Sequence, residues 1–313
     1  MDTSCIRQLG QDHYPANRTA QYVAVNDGDK NLVMAMADMG IFSSHLLPED
    51  YWESVVESTK PKWLVVDGNW GASDIRAWIR AGKSQSSCKV AFEPVSMEKA
   101  ARLFSPFRGV SPLTVFPQAS VDLASPNVYE LGALYEAAKE NGYLDSTEWF
   151  QVIDAFGMRG ARDRFVQLTS AELTDAGVPV QTIQLLPYIP TLITKLGSKG
   201  ALVTSILARD DPRLFDRDSQ EFILTRAPSD HPTIGGIYMR LFPPAEKVED
   251  VISVNGVGDT FLGVMISGLA QGGKVEKLVE VAQRGAVMSL RSAESVNPEL
   301  SRIEQDLGRA VRR

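Results

Sequence analysis

Residues 251–263, Val-Ile-Ser-Val-Asn-Gly-Val-Gly-Asp-Thr-Phe-Leu-Gly, combine residue types that can handle an anion. An apolar run, expected as a strand over Asp250–Ser253, leads into Asn255-Gly256-Val257-Gly258, and a helix is expected from Asp259. Glycines let a backbone approach a ligand closely and point several N–H groups at one spot. The helix dipole adds positive potential there. Such a turn can stabilise the charge on a transferring phosphoryl group. A carboxylate at the helix start, Asp259, can orient a hydroxyl and accept its proton. A dinucleotide fingerprint is excluded, because its third glycine would fall at Phe261 and the turn lies late in the chain. A Walker A loop is excluded because no Gly-Lys-[Ser/Thr] follows.

Three further stretches have suggestive spacing. Asn127 and Glu130 in Ser125-Pro-Asn-Val-Tyr-Glu130 lie three apart at a predicted helix start, so they share one face. By themselves they read as a capping box. Thr194-Lys195-Leu196-Gly197-Ser198-Lys199-Gly200 reads as a turn between two strands. Ser295-Val-Asn297-Pro298 reads as a helix-start signal.

The elements that must position these residues alternate. Thr19–Val25 and Leu32–Ala37, joined by Asn26-Asp-Gly-Asp29, predict a β-hairpin. Strands are expected at Trp63–Val66, Lys89–Phe92, Leu113–Phe116, Thr191–Thr194, Ala201–Thr204 and Asp250–Ser253. Helices are expected from Pro48, over Asp74–Arg80 with Ser73 as cap, over Asn127–Glu140, and from Asp259 to the end. Apolar strands alternating with helices predict an α/β fold whose mostly parallel sheet is covered on both faces. Residues 142–190 read as an α-helical elaboration. Residues 205–249, with many charges and Pro212, Pro228, Pro232, Pro243 and Pro244, read as a surface insertion.

Bulk numbers exclude other classes. The 313 residues are 44% apolar and 23% charged, as in an ordinary globular protein. A net charge of −7 and the absence of a long Lys/Arg run argue against a nucleic-acid partner. His13, His45, His231, Cys5 and Cys88 lack zinc-type spacing, and the two cysteines read as reduced thiols. No apolar run reaches bilayer length, and Met1–Cys5 does not open a signal peptide, so no membrane partner is expected and the chain reads as cytoplasmic.

Gly256-Val-Gly-Asp-Thr-Phe261 resembles the Gly-Ala-Gly-Asp signature of the ribokinase-like (PfkB-type) kinases, with Val257 at the Ala position and Ser253-Val254 where Asp-Thr often precedes the turn. The resemblance implies a three-layer α/β sandwich with a small β lid. It implies ATP as phosphoryl donor and Mg²⁺ as metal, with Asp259 as catalytic base and Gly256, Val257 and Gly258 as anion hole. Asn127 and Glu130 match the family's Asn-x-x-Glu element, which helps position Mg²⁺. Mg²⁺ keeps several waters and takes few protein ligands, which suits one carboxylate and one amide. Lys195, Gly197, Ser198 and Gly200 resemble the turn near the nucleotide, and Asn297 the stretch beside adenine. Within the family, Arg18–Val25, Ala37-Asp-Met39 and Phe92-Glu-Pro-Val-Ser96 resemble pseudouridine kinases, which implies Arg18, Thr19 and Asp38 as substrate-side residues. The small-molecule partner is then a nucleoside or sugar, with a homodimer through the lid. The implied division is a lid segment at 1–40 and a kinase core at 41–313. The start of the chain resembles the stretch just before the family's lid, so the family's first sugar-binding strands are expected to be missing. Two alternatives stay open: a nucleotide-binding remnant without catalysis, and a piece of a fused pseudouridine kinase and pseudouridine-5′-phosphate glycosidase.

Overall fold

A computed structural model describes residues 19–28, 32–42, 49–85, 87–106, 112–158 and 160–312. Arg18, Cys5, His13, His45 and Pro48 lie outside the described residues. The chain divides into two compact units, one of residues 1–52, 69–71 and 245–313, the other of 53–68 and 72–244.

In the first unit, β1 (Gln21–Asn26) pairs antiparallel with β2 (Leu32–Asp38), in register Gln21↔Asp38 to Val25↔Met34. Tyr22, Val23, Val25, Val33, Met34 and Met36 are exposed, so the hairpin shows apolar side chains on both faces. α1 (Glu49–Thr59) crosses the boundary between the units.

The second unit holds a seven-stranded sheet in the order β3-β4-β5-β6-β7-β9-β8. Its elements are β3 (Trp63–Asp67), α2 (Ala72–Ser84), β4 (Lys89–Glu93), α3 (Met97–Ala100), β5 (Leu123–Ala124), α4 (Val128–Glu140), α5 (Thr147–Ala155), α6 (Arg162–Leu168), α7 (Ala171–Asp175), α8 (Val178–Leu185), β6 (Thr191–Lys195), β7 (Ala201–Ala208), β8 (Ile223–Arg226) and β9 (Ile234–Phe242). The pairs from β3 to β6 are parallel, and β7, β9 and β8 add antiparallel pairs, so β3, β4, β5, β6 and β9, five of the seven, point the same way. Val90, Ala91, Phe92, Leu192, Ile193, Leu202 and Val203 have no exposed surface. Continuous burial along a strand is the mark of a sheet covered on both faces. Each such Leu, Ile or Phe contributes about 1.5–3 kcal/mol by burial.

Several expected boundaries move. Leu113–Phe116 is not a strand, because its polar groups bond elsewhere: Thr114 N donates to Ser120 Oγ at 2.9 Å, and Phe116 N to the Pro187 carbonyl at 2.8 Å. The strand in that place is the two-residue β5. Residues 205–249 are not a surface insertion throughout. They include the end of β7, all of β8, and β9, whose Ile234, Ile237, Tyr238 and Met239 are buried. The charges and prolines that suggested an insertion lie mostly in the connections. Arg240, within β9, stacks its guanidinium between Phe222 and Phe242, at 4.2 and 4.4 Å from the ring centroids. α2 begins at Ala72, so Ser73 is inside the helix rather than its cap.

Back in the first unit, the C-terminal part consists of α9 (Val257–Ala270), α10 (Val275–Leu290) and α11 (Glu304–Val311). Asp250–Ser253 is not a strand. It has no sheet neighbour, and the N–H groups of Ile252 and Ser253 both donate to the Leu290 carbonyl at the end of α10, at 2.8 and 3.2 Å. No described helix is long and apolar enough to cross a membrane. Cys88 is a free, buried thiol, pushed above its ordinary pKa first by burial.

Candidate functional site

Within the first unit, the glycine turn is built by a close backbone approach. Gly256 takes a left-handed conformation, φ 72°, and a Cβ placed there would lie 1.9 Å from the Ser295 carbonyl oxygen. Only glycine meets both conditions. Ser295 belongs to the segment that Asn297 fastens: its side-chain N–H donates to the Met288 carbonyl, and its Oδ1 accepts from Glu299 N, both at 2.8 Å. The Asn297 side chain therefore positions the turn's neighbour, a role its helix-start spacing did not disclose.

α9 starts at Val257 with no side chain capping it. The first N–H groups of a helix have no intrahelical acceptor, and the dipole makes this end positive. Asp259 is exposed in that first turn, while Gly256, Val257 and Gly258 are half-buried. Thr260 N closes on the Gly256 carbonyl at 2.8 Å, and the buried hydroxyls of Thr260 and Ser289 share a hydrogen bond at 2.8 Å, which ties α9 to α10. An uncapped helix start beside an exposed carboxylate can hold an oxyanion and take a proton from a nearby hydroxyl.

Within the second unit, the carboxyl edge of the parallel strands gathers Asn127, Glu130, Lys195 and the 197–200 turn. That edge is where open α/β sheets bind ligands. Asn127 caps α4: its Oδ1 accepts from Glu130 N at 2.9 Å, while Glu130 Oε2 accepts from Asn127 N at 2.8 Å. The capping box reading thus holds in full. It leaves Glu130 Oε1 and the Asn127 side-chain N–H groups outside the box. Asn127→Ala should cost about 1 kcal/mol of stability, as lost caps do, read as a lower urea midpoint with unchanged slope.

Lys195, at the end of β6, is brought beside this cap. Its N–H donates to the Pro126 carbonyl at 2.8 Å, and it forms a bridge with Asn127. Lys195 Nζ reaches Glu93 Oε1 at 3.3 Å. This pair was missed from sequence, since the partners are 102 positions apart. Gly197, Ser198 and Gly200 form the tight turn into β7, with Leu196 N donating to the Gly200 carbonyl at 2.9 Å. A Cβ at Gly200 would stand 2.0 Å from the Phe242 carbonyl, so this turn also demands glycine. Ser198 is exposed. The buried hydroxyls of Ser125 and Thr194 have no hydrogen-bond partner among the described residues, the usual mark of a place for water or ligand.

Beside this edge, Gly68 N donates to the Glu93 carbonyl at 2.8 Å, and Arg102 donates to the Gly68 carbonyl at 2.9 Å. The Lys99 ammonium is held below its ordinary pKa, first by burial and then by Arg102. Among the expected substrate-side residues, Thr19 is exposed and Asp38 ends β2, where its Oδ1 accepts from Gly40 N at 3.4 Å. No cluster of three or more His, Cys, Asp or Glu occurs among the described residues. A metal held mainly by water and phosphate needs no such cluster.

Residues 238–302 match the pfkB family of carbohydrate kinases. Over 287 residues the chain is 30% identical to a pseudouridine-metabolizing bifunctional protein of Schizosaccharomyces pombe, covering 90% of this chain and 35% of that protein. The chain thus spans about a third of the length of that curated relative. Its structure is similar to a ribokinase of Cryptococcus neoformans solved with ADP, at a TM-score of 0.55 and 16% identity, over 92% of this chain and 71% of the other. It is also similar to a nucleoside kinase of Burkholderia thailandensis solved with inosine, at 0.50 and 13%, over 93% and 68%. These structural likenesses show a ribokinase-like α/β fold.

Proposed function

We propose that this chain, whose residues 238–302 match the pfkB family of carbohydrate kinases, transfers the terminal phosphoryl group of ATP to a hydroxyl of a nucleoside or sugar, and specifically to the 5′-hydroxyl of pseudouridine. The observation that carries this reading is the start of α9: a left-handed glycine packed against a carbonyl, uncapped amides after it, and an exposed aspartate in the first turn. Asp259 orients the acceptor hydroxyl and takes its proton. The amides of Gly256, Val257 and Gly258 face the charge that develops on the phosphoryl oxygens.

The second unit supplies the nucleotide-side groups. Lys195, Gly197, Ser198 and Gly200 receive the phosphates, and Asn297 shapes the stretch beside adenine. Mg²⁺, bound with the nucleotide, spreads the phosphate charge. Glu130 Oε1 and the Asn127 amide, both outside the capping hydrogen bonds, fit the few contacts that this ion's water shell asks for. Thr19 and Asp38, with Arg18, serve the acceptor side. The name of the yeast relative supports pseudouridine as acceptor, and ADP in the Cryptococcus ribokinase supports an adenine nucleotide as donor. The exposed apolar faces of β1 and β2 support pairing of two copies through the hairpin.

The test is a panel of pseudouridine, uridine, inosine, adenosine, ribose and fructose, each offered to the full chain with ATP and Mg²⁺. ADP release is expected with pseudouridine at the highest kcat/KM. Nucleotide binding without transfer to any member of the panel would refute the kinase reading.

A further inference from the structure

Glu93 and Lys195 form an ion pair whose side chains are only 9% and 18% exposed. Burying two charges costs desolvation that their attraction barely offsets, so an apolar pair would stabilise the fold as well or better. The pair's worth therefore lies in where it holds a charge. β5 stops at Ala124, level with Phe92 of β4 and Leu192 of β6. β4 runs on to Glu93 and β6 to Lys195, so the ion pair spans the end of the shorter strand between them.

Both partners are held firmly at the backbone. Lys195 N is bonded to the Pro126 carbonyl at 2.8 Å, and the Glu93 carbonyl accepts from Gly68 N at 2.8 Å. Two residues beyond Glu93, Val95 sits at φ 67°, a conformation costly for a β-branched residue, with Ser96 N closing on the Pro94 carbonyl at 2.8 Å. Such strain persists where the surroundings over-determine the backbone. A lysine ammonium on its four-carbon stem has many places to be unless something ties it. Here the Glu93 carboxylate, 3.3 Å away, ties it.

We propose that Glu93 is the positioning residue for Lys195, fixing its ammonium across the end of β5 as a contact for the β- or γ-phosphate of a bound nucleotide. The assignment rests on the nucleotide reading of the 194–200 turn.

The test measures binding of AMP, ADP and a non-hydrolysable ATP analogue, with Mg²⁺, to the full chain by calorimetry. Lys195→Met and Glu93→Gln should each weaken the di- and triphosphate by ~10-fold or more, the scale of one charge-assisted hydrogen bond, and leave AMP nearly unchanged. Glu93→Asp should recover part of the loss. The double variant should bind no more weakly than Lys195→Met alone, because Glu93 acts through the lysine. A Glu93→Gln variant that binds as wild type, equal losses for all three nucleotides, or losses that add in the double variant would overturn the assignment and leave the kinase reading standing. Failure of the wild-type chain to bind ADP or the ATP analogue would overturn both. If Glu93→Gln does not fold, Glu93→Asp and Lys195→Met decide by the same AMP-to-ADP comparison.

Discussion

Asp259→Asn is expected to lower kcat by about 10²–10⁴-fold, the usual worth of a positioned general base, while nucleotide affinity stays close to wild type. Asparagine keeps the size and polarity of the side chain but cannot accept the acceptor's proton. Asp259 is exposed in the first turn of α9, so its replacement removes no packing. Stability should fall by only about a few tenths of a kcal/mol, the worth of a carboxylate at a helix N-terminus, read as a slightly lower urea midpoint. Turnover assays on the accepted substrate, with calorimetry for ADP, check both halves. Wild-type turnover in this variant would remove Asp259 from the mechanism.

Gly256→Ala should do damage of a different kind. An alanine Cβ would sit 1.9 Å from the Ser295 oxygen, in a backbone region that L residues avoid. Either the 295 segment moves or the first turn of α9 does, and both displace the amides of Val257 and Gly258. A loss of about 10²–10³ in kcat is expected, comparable to removing one oxyanion donor. A stability loss of about 1–3 kcal/mol should accompany it, from the strained φ. The contrast is diagnostic: Asp259→Asn loses activity at nearly full stability, whereas Gly256→Ala loses both. Kinetics and urea titration of the two variants side by side read it.

The glycine turn was legible because few residues other than glycine tolerate its backbone, so a geometric demand is written as a residue type. The β1–β2 hairpin was legible through its Asn-Asp-Gly turn, and the Asn127–Glu130 cap through its three-residue spacing. β9 was not legible. Its surroundings, 205–249, read as an insertion for their charges and prolines, whereas Arg240 of β9 lies over the rings of Phe222, just before β8, and Phe242, in β9 itself. β5 was not legible because two residues carry no periodicity. Asp250–Ser253 has strand composition but no strand to pair with, and composition is silent about neighbours. The Glu93–Lys195 pair depends on β4 and β6 flanking β5, a matter of sheet order that no local pattern encodes.

The brevity of β5 has a mechanical consequence. It joins β4 and β6 through two residue pairs on each side, while β7 and β9 are laced together by eight. A sheet with so few rungs at its middle has a seam there, and local opening concentrates where backbone rungs are fewest. Glu93 and Lys195 stitch that seam from side to side. A nucleotide gripped at this place would draw the seam shut, so that occupancy and rigidity of the sheet rise together.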